Sequence, residues 1–221
     1  DIEELRESKV SGDTVHIGAM VTQHELINNA SLAKAAPLIR EASLQIADPQ
    51  VRYVGTIGGN VANGDPANDM PGLMQCLDAT YALSGPSGER TVKAREFYES
   101  AFMTACEDDE ILTSIAFPAT TAGFAYEKQK RKIGDYATAA AAVLITMGGK
   151  TCTAASIAMT NLSDTPVWSE AAGAALVGTN CGDADIAAAV AAALNDTDPT
   201  EDSRGPVEFK RHVAGVIVRR A

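Results

Sequence analysis

The sequence predicts an α+β fold in two parts, and three observations carry that prediction. Polarity alternates over Asp13–Val21, and strand-like segments flank turns at Gly85-Pro86-Ser87-Gly88 and Gly148-Gly149. Helical spacing appears over Pro37–Ala47 and Asp185–Asn195. Ala119–Gly123 then reads as a joint, so that residues 1–118 form one domain and residues 119–221 a second, with a small antiparallel sheet and helices.

The elements follow in order from local signals. Val15, Ile17, Ala19 and Val21 fall on one face, the pattern of a half-buried strand. Thr22-Gln23-His24-Glu25 has capping-box spacing and opens a short helix. Pro37 stands in the first turn of the next helix, and Leu38, Glu41, Ala42, Gln45 and Ile46 recur at helical spacing. Asp48-Pro49 is expected to end it, with a glycine loop following at residues 55–60. Asn63-Gly64-Asp65-Pro66 is a further turn. Pro71–Leu77 is apolar and reads as a helix whose first turn lies beside Asp69. Ala79–Leu83 and Arg90–Lys93 read as paired strands, and Glu110–Phe117 as another, closed by Pro118. Past the joint, Leu144–Met147 and Thr153–Met159 form a hairpin. Asp185 N-caps an alanine-rich helix that reaches Asn195, and Asn195–Arg204 is a polar, acidic loop. Gly205-Pro206 starts a last helix. Glu208 sits near its N-terminus and Arg219 and Arg220 near its C-terminus, as the helix dipole favours.

Composition excludes several functions. A net charge of −11 opposes binding to nucleic acid, where cations must displace counterions, and to an anionic membrane surface. No apolar run reaches the ~18 residues of a spanning helix. Ala137–Met147 is the longest candidate and is alanine-rich. Cys76, Cys106, Cys152 and Cys181 form no C-x-x-C, so their spacing indicates neither a zinc site nor an iron–sulfur cluster. Four free thiols in a reducing cytoplasm is the expectation. Gly149-Lys150-Thr151 lacks the leading P-loop glycine, because position 144 is leucine. G-x-S-x-G and H-E-x-x-H are absent, and His16, His24 and His212 are scattered. No metal or hydrolytic site emerges, and no catalytic residue is assigned.

Gly55-Thr56-Ile57-Gly58-Gly59-Asn60 carries the most information. Adjacent glycines let backbone N–H groups approach a bound group closely. From Tyr53 to Glu89 there is no lysine or arginine, so a phosphate held here relies on backbone and amide dipoles, as in an anion nest. Amides at Asn60 and Asn63 and carboxylates at Asp65 and Asp69 extend the set. Amide donors plus carboxylate acceptors suit a ligand with both phosphate and polyol hydroxyls. The same residues also make ordinary turns, and chemistry alone leaves both readings open.

The segment from Val51 to Pro71, with T-I-G-G-N at Thr56–Asn60 and the aspartates Asp65 and Asp69, resembles the FAD-binding subunit of molybdenum-containing hydroxylases. The similarity continues through Glu110–Ile115, through Tyr126-Glu127-Lys128, Arg131 and Gly134-Asp135-Tyr136-Ala137, and through Gly205–His212. It covers nearly the whole chain. The last two segments look most like the medium subunit of aerobic carbon monoxide dehydrogenases.

The resemblance implies an electron-transfer flavoprotein. Residues 1–118 would be the second lobe of a two-lobed FAD-binding domain. FAD would contact Thr56, Ile57, Gly58, Gly59 and Asn60 at its pyrophosphate, with Asn63 nearby. Asp69 would bind ribityl or phosphate-proximal hydroxyls, Leu112 would lie near the flavin or adenine edge, and Lys128 would approach the isoalloxazine. Asn60 and Asp69 are expected to be ligand contacts outside the core. A cation at Lys128 suits the negative charge of reduced flavin. Lys128, Lys130, Arg131 and Lys132 otherwise read as a solvated strand or loop. Electrons would arrive from iron–sulfur clusters of a small subunit, fed by a molybdenum cofactor in a large subunit, and leave to an external acceptor. A dimer of heterotrimers in the cytoplasm is implied, with or without peripheral contact at the inner face of the membrane. Other readings are a xanthine, aldehyde or N-heterocycle dehydrogenase subunit, or a cofactor-free scaffold. The family's other glycine-rich loop, A-G-G-x-S, has no match here, so the sequence is expected to begin after the first lobe and inside a longer protein.

Overall fold

The computed structural model describes residues 2–221. After a 3-10 turn at Glu3–Arg6 comes a hairpin of β1 (Ser8–Ser11) and β2 (Thr14–Gly18). Six short helices follow: α1 (Gln23–Asn28), α2 (Ala30–Ala35), α3 (Pro37–Ser43), α4 (Pro49–Val54), α5 (Ile57–Ala62) and α6 (Asp69–Cys76). Next come β3 (Thr80–Gly85), β4 (Gly88–Lys93), the small hairpin β5 (Tyr98–Ser100) and β6 (Met103–Thr104), and β7 (Ile111–Pro118). The second half holds β8 (Gly123–Gln129), β9 (Ala139–Gly148), β10 (Thr151–Thr160) and β11 (Val167–Trp168). It ends in α7 (Glu170–Leu176), α8 (Asp183–Asn195) and α9 (Val207–Arg220).

Two antiparallel sheets organise these elements. The first has the order β1-β2-β7-β3-β4 and the second β11-β10-β9-β8. In the first, Val15 and Ile17 alternate inward as predicted and share a core with Tyr81, Ile115 and Phe117 from the sheet and Leu38, Ile39 and Leu73 from the helices. In the second, the alanine-rich run is a strand and not a helix. Ala139, Ala141 and Val143 pack with α7, α8 and α9, while Ala140 and Ala142 join the core of the first half. Helices cover both faces, and burial on both faces outweighs the helix propensity of alanine.

Several boundaries differ from expectation. The helix from Pro37 stops at Ser43, and Asp48-Pro49 does not merely end it. Asp48 caps a further helix, its Oδ1 accepting from the Val51 N–H at 3.0 Å, with Pro49 in the first turn where a missing N–H costs nothing. The expected glycine loop is the start of α5. α6 begins at Asp69 and not Pro71, and α8 begins at Asp183. The capping box at Thr22 forms, with the Thr22 N–H donating to Glu25 Oε2 at 2.7 Å and the Glu25 N–H donating to Thr22 Oγ1 at 3.2 Å. α7 has no counterpart in the sequence reading, and the strand read at Lys128 forms as part of β8, but with the Lys128 side chain buried and not solvated.

The loop before α9 is anchored by one carboxylate. Asp202 Oδ2 accepts from Lys210 Nζ at 2.9 Å and from Arg204 Nη1 at 3.0 Å. Burial alone would raise this carboxyl, but the Lys210 ammonium and the Arg204 donors outweigh it and hold the group at about 2. The folded value lies below that of an unfolded Asp, about 4. The stability it contributes is therefore present above about pH 4 and is lost as pH falls toward 2. In acid unfolding monitored by circular dichroism, Asp202→Asn is expected to show a shallower loss of stability between those limits than the parent. Equal slopes would contradict this linkage.

Candidate functional site

α5 and α6 set the central motif. Thr56 caps α5, its Oγ1 accepting from the Gly59 N–H at 3.0 Å. The Ile57 N–H donates to Val21 O and the Gly58 N–H to Ala19 O, each at 2.9 Å. The expected nest of bare N–H groups is therefore not formed. Once Thr56–Asn60 winds into a first helical turn against residues 19–21, its donors find carbonyls there. The two glycines also divide their work. A Cβ on Gly58 would lie 2.5 Å from Ala19 Cβ, so that glycine permits close packing of α5. A Cβ on Gly59 would meet only Thr56 Oγ1, at 3.0 Å, so the space above it is otherwise open.

Asn60 joins α5 to α6. Its Oδ1 accepts from the Met70 N–H at 3.2 Å, and its backbone carbonyl accepts from Asn68 Nδ2 at 2.9 Å. The adjacent Asp69 is 3% exposed. Its Oδ2 accepts from Lys128 Nζ at 2.8 Å, and its Oδ1 accepts from the Tyr126 hydroxyl. The Lys128 side chain is fully buried. Burial pushes the Asp69 carboxyl up, against the opposing pull of Lys128 and Tyr126. Burial and the neighbouring carboxylate together push the Tyr126 phenol well above its usual range, which keeps it a donor. Lys130 Nζ lies 3.4 Å from Gln45 O, and burial followed by the Lys128 charge lowers its ammonium.

Two adjoining cavities open beside these groups. One, of about 200 Å³, is walled by Asn60, Asn68, Asp69 and the Gly134-Asp135-Tyr136 segment. The other, of about 180 Å³, is walled by Gln23, Gly55, Thr56, Gly59 and Asn60. Ile46, Val51 and Asn60 border both. A larger cavity of about 280 Å³, near Leu5, His16 and Ser114, contains none of the predicted residues.

The structure thus places Thr56 and Gly59 on the wall of one cavity and Asp69 on the wall of the other, with Asn60 bordering both and Lys128 directly behind Asp69. Ile57 is fully buried in the core. Asn63 is exposed at the far end of α5, and Leu112 is a core residue of β7 paired with Leu83. Asn63 and Leu112 border neither cavity. Asp69 corrects the expectation of a contact outside the core, because its carboxylate is enclosed by Lys128 and Tyr126. The residue without an assigned role is Tyr136, which is 47% exposed and lies at the cavity edge. Its signal was the Gly134-Asp135-Tyr136 segment, which carried similarity without an assigned role.

Comparison with known proteins identifies the class. The family described as "FAD binding domain in molybdopterin dehydrogenase" matches residues 1–120, and "CO dehydrogenase flavoprotein C-terminal domain" matches residues 124–221. The chain belongs to this FAD-binding flavoprotein family of molybdenum-containing dehydrogenases. It is 56% identical to the carbon monoxide dehydrogenase medium chain of Afipia carboxidovorans, over 100% of this chain and 77% of that one. The carbon monoxide dehydrogenase medium chain of Hydrogenophaga pseudoflava is 42% identical over the same shares, 100% and 77%. The solved structure of reconstituted CO dehydrogenase from Oligotropha carboxidovorans matches with a TM-score of 0.98 at 56% identity, over 100% of this chain and 78% of that chain. The α+β fold and the family resemblance both hold.

FAD fits the residues present. The open space over Gly59 accepts a group that a side chain would displace. Hydroxyl and amide groups border it at Thr56 and Asn60, and in the adjoining cavity Asp69 is backed by the buried Lys128. Asp69 and Lys128 also form a unit whose separation is costly. Removing one partner of a buried pair strands the other charge, at about 3–5 kcal/mol. Asp69→Ala is therefore expected to lower the urea midpoint sharply, while Asp69→Leu combined with Lys128→Met recovers most of the loss. A single variant as stable as the parent would contradict the buried pair.

Proposed function

We propose that this chain is the FAD-holding part of the electron-transfer flavoprotein subunit of a carbon monoxide dehydrogenase. The observation that supports it most is the pair of adjoining cavities that share Asn60, one bordered by Thr56 and Gly59 and the other by Asp69 and Tyr136, in a chain 56% identical to a carbon monoxide dehydrogenase medium chain. Thr56 and Asn60 offer hydroxyl and amide donors to pyrophosphate oxygens, and Gly59 leaves the approach clear. Asp69 borders the adjoining cavity, its two carboxylate oxygens already accepting from Lys128 and Tyr126. Lys128 places a buried cation behind it, which lowers the cost of negative charge nearby. Ile57 and Gly58 serve the cofactor by seating α5, Leu112 by supporting the sheet, and Asn63 by closing the far end of the helix.

Bound FAD supplies electron transfer between iron–sulfur clusters of a small partner subunit, fed by a molybdenum centre in a large one, and an external acceptor. Residues 1–118 form the FAD-binding portion and residues 119–221 the C-terminal domain. No helix among the described residues is long and apolar enough to cross a membrane. We place the enzyme in the cytoplasm as a dimer of heterotrimers.

The test is Gly59→Val in the whole flavoprotein subunit. Valine has a higher helix propensity than glycine, and its Cβ would meet only Thr56 Oγ1, at 3.0 Å, so the fold is expected to survive. Flavin absorbance per protein is expected to fall at least about tenfold, since the branched side chain occupies the approach to the pyrophosphate. A variant as yellow as the parent would remove this site from consideration.

A further inference from the structure

We propose that Arg204, oriented by Asp202, is a positioning residue that holds Tyr136 at the cavity edge. The proposal rests on the FAD reading of that cavity and adds a structural element from the C-terminal end of the chain.

Tyr136 belongs to an irregular segment between β8 and β9, where strand pairing does not fix it. Its own neighbours give one constraint: the Tyr136 N–H donates to Asp135 Oδ1 at 2.9 Å. Asn161 Nδ2 holds the next residue, donating to Ala137 O at 2.8 Å, and further constraints reach across from the turn at Asp202–Gly205. Arg131 bridges the two segments, with Nε donating to Asp135 Oδ2 at 2.9 Å and Nη1 donating to Ser203 O at 3.1 Å. The Arg204 guanidinium carbon lies 5.4 Å from the centre of the Tyr136 ring, within cation–π range.

The turn that delivers this cation is closely determined. The Asp202 N–H donates to Gly205 O at 3.3 Å, and the Gly205 N–H donates to Asp202 O at 3.1 Å. Asp202 Oδ1 accepts from the Arg204 N–H at 2.8 Å, and Oδ2 accepts from Arg204 Nη1 at 3.0 Å. Lys210, on α9, fixes the same carboxylate. The Arg204 side chain is 18% exposed, and its Nε has no hydrogen-bond partner. The guanidinium thus spends one donor on Asp202 and lies over the Tyr136 ring. Partial removal from water strengthens the attraction. Tyr136 is thereby held where Asn60 and Asp69 form the rest of the wall.

The experiment compares the whole flavoprotein subunit as parent, Arg204→Gln, Tyr136→Leu and the double variant, by amide hydrogen exchange and FAD titration. Arg204→Gln is expected to leave α9 protected, to speed exchange across residues 131–138 by about tenfold, and to weaken FAD binding by a similar factor. The double variant is expected to bind FAD no worse than Tyr136→Leu alone, because Arg204 acts through the ring. Additive losses, or parent-like exchange over residues 131–138 in Arg204→Gln, would overturn the proposal. If the parent itself takes up no FAD, the reading of the cavity fails, and the exchange comparison still decides whether Arg204 holds the Tyr136 segment.

Discussion

The buried contact between Asp69 and Lys128 is the constraint on which the site depends. Asp69 begins α6 in the first half of the chain, and Lys128 lies on β8 in the second. Burying two charges costs several kcal/mol each unless the geometry returns it. Here the return comes from a 2.8 Å ion pair and the Tyr126 hydroxyl, with the Gln45 carbonyl 3.5 Å from Lys128 Nζ. Such a contact permits little slack. It fixes the start of α6 against β8, and Asn60 then ties the first turn of α5 to the same point through Met70. The wall of the cavity is a consequence of that chain of contacts.

The alanine-rich strand explains how the contact is brought together. Lys128 pairs in register with Ala140, and Tyr126 with Ala142. Small side chains on β9 admit α6 on one face and α9 on the other. Large residues there would hold α6 away from the sheet, and Asp69 could not reach Lys128. Side-chain volume in the core thus sets the charge geometry at the cavity.

Much of this was legible in the sequence, for identifiable reasons. The strand at Val15 and Ile17, the capping box at Thr22 and the hairpin around Gly85–Gly88 obey local rules, and the structure keeps them. α4 was missed because Asp-Pro reads equally as a helix stop and a helix start. The helical character of Ile57–Ala62 was hidden by its glycines, which suit a loop in isolation but serve packing at Gly58 and open space at Gly59. Thr56, Gly59, Asn60, Asp69 and Lys128 were named from motif similarity. That Asp69 and Lys128 touch each other could not be read from residues 59 positions apart. Tyr136 was overlooked because an exposed aromatic after Gly-Asp has no local rule to mark it.

On the proposed reading, one group of residues both stabilises the fold and borders the cofactor. The most direct measurement is the FAD dissociation constant of the whole flavoprotein subunit carrying Asp69→Leu and Lys128→Met together, beside its urea midpoint. The account predicts near-parent stability with FAD affinity reduced by at least about tenfold, because the apolar pair restores packing but not the charge and acceptor at the cavity. Parent-like affinity in that stable double variant would contradict it, and would confine Asp69 and Lys128 to holding the fold.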